Sequence, residues 1–293
     1  MKNMASGTAE GTAYLRFFES SRPIAQRLCN DYLAYHFMAW WLKIASTAYL
    51  PIPAVLVDWS LEMKGAGVSA FIAVRTRLFD EFVSKRISEG TRQFVILGAG
   101  LDSRAYRLSR LLKGIATFEV DHPLSQTVKK ERVKEYFGAL PEHVSYVSAD
   151  LIHEELLPAL LKAGYDPLLP TVFTLEGLIM YLDEIANRHC LQSICEHSGP
   201  GSSVIFDYIY ASSLDSRRYE EVRHFMHYWQ FMFNEPLLFG IEKGGAEDYL
   251  VSIGFDRAED FPPQKLYEQY IEPVAPRRSI SEMYAIAAGY KKS

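Results

Sequence analysis

Cysteine is scarce in this chain: Cys29, Cys190 and Cys195 are the full complement among 293 residues, and no two of them form a CxxC pair. This excludes a disulfide framework or a cysteine zinc finger, and no metal site is expected; the odd number of thiols fits a reducing compartment. An excess of positive charge is also missing. The 31 Lys+Arg are set against 36 Asp+Glu, for a formal net charge of -5, so there is no electrostatic footprint for a phosphate backbone and nucleic acid is not an expected partner. No apolar run is long and clean enough to cross a bilayer, which takes about 20 mostly apolar residues. The nearest approach, Tyr32 to Trp59, is broken by His36, Lys43, Pro51, Pro53 and Asp58. It reads as buried helix and turn, or alternatively as an exposed aromatic patch of Trp40, Trp41 and Tyr49 over a pocket or subunit interface. Met1 to Gly11 lacks the apolar block of a signal peptide, so a cytoplasmic location away from membranes is the expectation. Internal repeats, low-complexity linkers and long like-charge runs are absent too, and nothing marks a clean domain boundary.

What the chain does contain is ordinary globular material. Hydrophobic residues make up 48% and charged residues 23%, enough to bury a sizeable core. The length suits one large α/β unit with an added cap. Periodicity divides it. From Thr12 to about Ile87 the pattern is helical, with Phe71, Ile72, Val74, Leu78, Phe79, Phe82 and Val83 on one side of a helix, so residues 1–88 read as a helical cap integral to the fold. Across 89–293, short apolar runs alternate with amphipathic stretches: 94–97, 117–120, 144–147, 172–175 and 204–206, with a closing strand over 283–288. Strands separated by helical patterns predict βαβ units in a mostly parallel sheet with helices on both faces. A helix starts at Pro123, and its basic run Lys129, Lys130, Arg132 and Lys134 is expected to face solvent. An insertion over 212–240, rich in large rings, is too long for a plain connection and is expected to be helical.

The chemistry starts at Phe94 to Arg104, where a buried strand runs into Gly98-Ala99-Gly100 and then a helix. Glycines there let backbone approach a ligand, and the helix N-terminus offers free N–H groups. A plain strand-to-helix turn is the competing reading. The third position of GxGxxG is Ser103, which disfavours the dinucleotide fingerprint. The next strand ends in Asp121, where a carboxylate can accept from both hydroxyls of a ribose. Asp150 with Leu151 ends the third strand and Glu176 the fourth, so acids stand at three consecutive strand ends, the ligand edge of an open α/β sheet. Arg75 lies on the apolar side of its helix, and a guanidinium there needs an anion: a protein carboxylate, or that of an amino-acid-like ligand.

Taken together, Arg92 to Leu108, Glu119-Val120-Asp121-His122-Pro123, Asp150-Leu151 and Glu176 to Leu182 resemble the leucine carboxyl methyltransferase-like family. The resemblance runs from about Thr12 to Phe206 and implies a Rossmann-like class I methyltransferase using S-adenosylmethionine and releasing S-adenosylhomocysteine. By matching position it implies that Arg75 holds the methionine carboxylate, Gly98 and Gly100 line the loop, Asp121 takes the ribose, Asp150 and Leu151 receive the adenine, and Glu176 lies near the methionine end. A basic residue of the first helix, Arg16 or Arg22, joins them. The chain reads Asp31-Tyr32 where the family typically has Asp-Pro, and Ser103 where Thr is common.

Methyl transfer from a sulfonium is an in-line displacement, in which a near-attack pose supplies about 7 to 11 kcal/mol. A carboxylate acceptor needs no base and a hydroxyl benefits from one, yet no residue announces itself as that base. His122 reads as a helix cap. His224 and His227 share a helical face without a third ligand. Tyr208, Tyr210, Tyr228, Trp229 and Phe233 wall an apolar acceptor pocket on one reading and form core on the other. The acceptor expected first is a hydroxyl or carboxylate of a small aromatic or polyketide-like molecule. A protein C-terminal carboxylate is the alternative within the family, and a nicotinamide oxidoreductase or a non-catalytic cofactor-binding protein are alternatives outside it.

Overall fold

A computed structural model describes residues 7–49, 67–151, 155–214 and 236–292. Its cap comprises α1 (Gly7–Ser20), α2 (Ala34–Phe37), α3 (Trp40–Tyr49) and α4 (Val68–Ser88), matching the helical periodicity of the first third. Every predicted apolar position of α4 is buried, and so is Arg75. On α3, Trp40 is 72% and Trp41 44% exposed, which for these two rings favours the exposed patch over the buried helix; Tyr49 lies outside the residues whose side chains are described.

The core follows as β1 (Gln93–Leu97), α5 (Arg104–Arg107), β2 (Ala116–Asp121), α6 (Pro123–Phe137), β3 (Val144–Ser148), α7 (Leu156–Lys162), β4 (Thr171–Leu175), α8 (Glu184–Glu196), β5 (Ser203–Ile209), α9 (Ala246–Ile253), β6 (Arg257–Phe261) and β7 (Tyr284–Tyr290). These strands form one seven-stranded sheet in the order β3-β2-β1-β4-β5-β7-β6. The first five are parallel, and β7 and β6 extend the sheet antiparallel. The order reverses between β1 and β4, and ligands of such sheets settle outside the strand ends at that switch point.

The predicted strands are all present, and β6 is an addition. Its sequence, Arg-Ala-Glu-Asp-Phe, has no apolar alternation because it is an edge strand paired to β7 alone and mostly half-exposed. Each parallel strand presents alternate residues to two cores. Phe94, Ile96 and Ile205 face the layer of α1, α4 and α6, while Val95, Leu97, Phe206 and Tyr208 face the layer of α7, α8 and α9.

Residues of α6 correct one expectation. Lys130 and Lys134 are half-buried or exposed, as a solvated face requires, but Lys129 is buried and donates to Glu119 Oε1 at 2.6 Å. Arg132 pairs with Glu10 of α1 at 2.5 Å. The reason is helical rotation: Gln126, Lys129 and Val133 make up the inward side of α6, which lies against β2 and the cap. Few apolar residues mark that side, so composition alone could not show which cations turn in.

Candidate functional site

At the end of β1 the chain turns through Gly98 (φ 61) and Gly100 (φ 38). A Cβ on Gly98 would sit 2.9 Å from Leu178 Cδ1, the movable end of a side chain, so the positive φ is what requires glycine there. Gly100 donates its N–H to Asp121 Oδ2 at 2.6 Å, and His122 N–H donates to Asp121 Oδ1 at 2.7 Å. Burial pushes the Asp121 carboxyl up, and the two N–H groups pull it only part of the way back. His122 is the N-cap of α6, its ring nitrogen accepting from Leu124 N–H, which is the capping role read from sequence. Asp150 and Leu151 follow β3 along the same edge, both half-buried.

Charged side chains cluster at the end of β4. Glu176 is buried among three guanidinium groups: Arg75 at 2.9 Å, Arg16 at 3.8 Å and Arg104 in close contact. Burial opposes its charge, but Arg104, Arg75 and Arg16 together prevail and hold the carboxyl well below the usual carboxylate range. Arg75 also pairs with Asp207 Oδ2 at 2.6 Å, and the other Asp207 oxygen accepts from Gly177 N–H at 2.6 Å. The reading in which protein carboxylates satisfy Arg75 is the one seen here, with Glu176 and Asp207 both paired to it, while its buried Nε has no hydrogen-bond partner.

Of the two basic candidates in the first helical stretch, Arg16 reaches this edge. It donates to the Leu101 carbonyl at 2.7 Å and pairs with Asp31 at 2.9 Å, whereas Arg22 pairs with Glu19. Asp31 in turn accepts from Ser103 Oγ at 2.7 Å and from Leu33 and Ala34 N–H, so without the Asp-Pro step it still caps the start of α2 and ties the cap to the glycine loop. Arg16, Arg107 and the Ser103 hydroxyl overcome burial and keep its carboxyl below the ordinary range.

Sequence reasoning missed Asp207, Asp31, Asp102 and Arg104. Arg104 is fully buried between Asp102 at 2.5 Å, Asp80 at 2.9 Å and Glu176. A signal for Asp207 was present, since it is the single charge in the apolar strand Ser-Val-Ile-Phe-Asp-Tyr-Ile. The pleat explains its role: Asp207 points to α4 and Arg75, and its neighbour Tyr208 points the other way.

The ring residues divide. Tyr208 is fully buried in the layer of α8 and α9 and donates to Asp260 Oδ1 at 2.9 Å, and Tyr210 is buried on the same face. Both sit in core there. Tyr228, Trp229, Phe233, His224 and His227 lie outside the described residues. The two ends of the 212–240 segment are described: Leu238 and Phe239 N–H groups donate to the Met180 carbonyl, and Ile241 bridges Tyr210. The insertion thus leaves and rejoins the sheet beside the turn that carries Glu176 and Gly177. Among the described residues no group of three His, Cys, Asp or Glu side chains is arranged to hold a metal, and no helix is long and apolar enough to cross a membrane.

Comparison with known proteins matches residues 9–195 to the leucine carboxyl methyltransferase family model. A Rhodococcus jostii protein classed as an S-adenosyl-L-methionine-dependent methyltransferase is 36% identical over 220 residues, covering 74% of this chain and 69% of that one. A Mycolicibacterium gilvum protein of the same description is 34% identical over 212 residues, covering 68% and 67%. A crystal structure of a DUF574 family protein from Streptomyces avermitilis shares the fold end to end, with a TM-score of 0.60 over 100% of this chain and 99% of that one at 14% identity.

Proposed function

This chain belongs to the leucine carboxyl methyltransferase family and is an S-adenosylmethionine-dependent methyltransferase; we propose that it methylates an oxygen, hydroxyl or carboxylate, of a small aromatic or polyketide-like acceptor. The site suits the cofactor on its own terms. Gly98 and Gly100 turn the backbone at positive φ directly after β1, Asp121 offers a carboxylate at the end of β2, and Arg75 Nε is a buried donor without a partner. In this reading Gly98 and Gly100 line the cofactor, Asp121 accepts from the ribose, Asp150 and Leu151 border the adenine, and Arg16, Arg75 and Glu176 bind the amino-acid end.

The bound cofactor supplies an electrophilic methyl group on a sulfonium. Arg16, Arg75, Asp121 and Glu176 would orient it, and such positioning supplies much of the rate advantage of a displacement. With the cofactor held there, transfer would form the bond from the acceptor oxygen to the methyl carbon as the carbon–sulfur bond breaks, and a hydroxyl acceptor would also release its proton. A nicotinamide reading is disfavoured by the first turn after the glycine loop. There Asp102 already accepts the Arg104 N–H at 2.7 Å and Ser103 donates to Asp31, so the place where a pyrophosphate would rest carries carboxylates.

What supports a small acceptor is the ring-rich sequence of the 212–240 segment, whose described end, Leu238 and Phe239, hydrogen-bonds to the Met180 carbonyl four residues beyond Glu176. Turnover on a panel of phenols, aromatic acids and peptides with free C-terminal carboxylates tests it. Methylation confined to peptides would replace this acceptor with the protein carboxylate. Calorimetry with S-adenosylhomocysteine and NAD tests the cofactor, and turnover itself separates an enzyme from a non-catalytic binder.

A further inference from the structure

Lys129 is the basic residue the solvated-face expectation misplaced, and its surroundings give it work. Its ammonium is buried against Glu119 Oε1 at 2.6 Å and donates to the Ala99 carbonyl at 3.2 Å. Ala99 is the middle residue of the Gly98-Ala99-Gly100 loop. Tyr106 closes the other side, with its hydroxyl donating to Glu119 Oε2 at 2.9 Å and its ring centroid 5.6 Å from the ammonium; Tyr146 lies beyond, its hydroxyl 3.0 Å from that of Tyr106. A buried ion pair is weak evidence for stability, because apolar residues of similar volume often serve a core as well. What this pair does that apolar side chains could not is hold a carbonyl of the cofactor loop.

That carbonyl belongs to the same peptide unit as the Gly100 N–H. In a planar trans peptide the two point in opposite directions, so a donor on the Ala99 oxygen sets where the Gly100 N–H aims. It aims at Asp121 Oδ2, 2.6 Å away. A second donor, Asp102 N–H at 2.7 Å, also binds the Ala99 oxygen, and the two together define the tilt of the plane.

We propose that Lys129 is a positioning residue for cofactor binding: through the Ala99–Gly100 peptide it holds the Asp121 carboxylate in place for the ribose. The inference rests on the methyltransferase reading, in which Asp121 meets the ribose. Glu119 is the ion-pair partner of the ammonium, accepting from it at 2.6 Å and from the Tyr106 hydroxyl at 2.9 Å.

The test compares Glu119→Gln with Glu119→Gln/Lys129→Met, so that no variant leaves a bare buried carboxylate. Calorimetry should show S-adenosylhomocysteine binding about tenfold weaker in the double variant than in Glu119→Gln, the scale of one charged hydrogen bond. In the ligand-free protein the Gly100 amide should exchange its hydrogen faster in the double variant while amides of β4 do not. On an Asp121→Ala background the Lys129→Met effect should vanish, because coupled residues fail to add. A purely structural lysine would give an additive loss and no selective change at Gly100. Affinity within about twofold of Glu119→Gln, or a loss that persists in full without Asp121, overturns the proposal while leaving the methyltransferase reading intact. Failure of the wild-type protein to bind S-adenosylhomocysteine overturns both. If the Met variant melts before it can be titrated, Glu119→Gln/Lys129→Gln takes its place. The glutamine side chain at position 129 is one bond shorter than lysine, meets the new amide at position 119 and falls short of the Ala99 carbonyl, so the same loss is expected.

Discussion

The two faces of the sheet are built on different principles. Facing α7, α8 and α9 are Val95, Leu97, Phe118, Phe173 and Phe206, an apolar layer in which the Tyr208–Asp260 hydrogen bond is a polar exception. The face toward α1, α4 and α6 is apolar at the base, but at the strand ends it gives way to Arg16, Arg75, Arg104 and Arg107 interleaved with Asp31, Asp80, Asp102, Glu176 and Asp207. Even α1 docks by charge, since its buried residues are Glu10, Ala13, Arg16 and Glu19. Apolar packing is non-directional and tolerant, whereas buried charges demand matched partners, which is a poor route to stability and a good one to placing ligand-binding groups.

That contrast is sharpest in stability. Arg104→Met strands Asp102 and part of Glu176 in the interior, while Asp80 keeps Arg107, and should cost about 3–5 kcal/mol in urea unfolding, the scale for breaking a buried pair from one side. A loss below about 1 kcal/mol would mean that this network is solvated like a surface and that the two faces do not differ as described. Next in size is binding. Asp121→Ala should weaken S-adenosylhomocysteine by about 1.5–3 kcal/mol and erase discrimination against the 2′-deoxyribose analogue, with little change in melting temperature. Retention of that discrimination would remove Asp121 from the ribose site.

A third expectation concerns acid. The depressed pKa of Glu176 means that its contribution to stability is present above the unfolded value of about 4.3 and is lost as pH falls toward the folded value. Glu176→Gln, though less stable near neutrality, should therefore lose less further stability between about pH 6 and about pH 3 than the wild type does. Parallel curves for the two proteins would show that the three arginines do not act on this carboxyl. The smallest effect belongs to the other face. Tyr208→Phe should cost about 0.5–1.5 kcal/mol in unfolding and leave cofactor affinity unchanged. A marked change in affinity would carry the site through the sheet and dissolve the distinction between its faces.

How much of this the chain discloses before folding depends on where each signal is stored. Period-two and period-3.6 patterns are local, so the helical cap, the parallel strands and the closing β7 are legible, as are the glycine loop and the acids that end β2, β3 and β4. β6 is not, because an edge strand need not alternate. Arg75 is marked by its apolar helix side, but its partner Asp207 lies 132 positions away, and only the pairing of β4 with β5 brings that strand beneath α4. Lys129 looks like any member of a basic run until α6 is rotated against β2. By itself, then, the sequence determined which backbone elements form and which strand ends bear acids, because hydrophobic period and turn chemistry act between near neighbours. Which guanidinium meets which carboxylate, and that a lysine in the basic run of α6 would reach under the glycine loop, was decided only by tertiary structure, since charge partners are chosen by proximity in space and burial alone makes the choice matter.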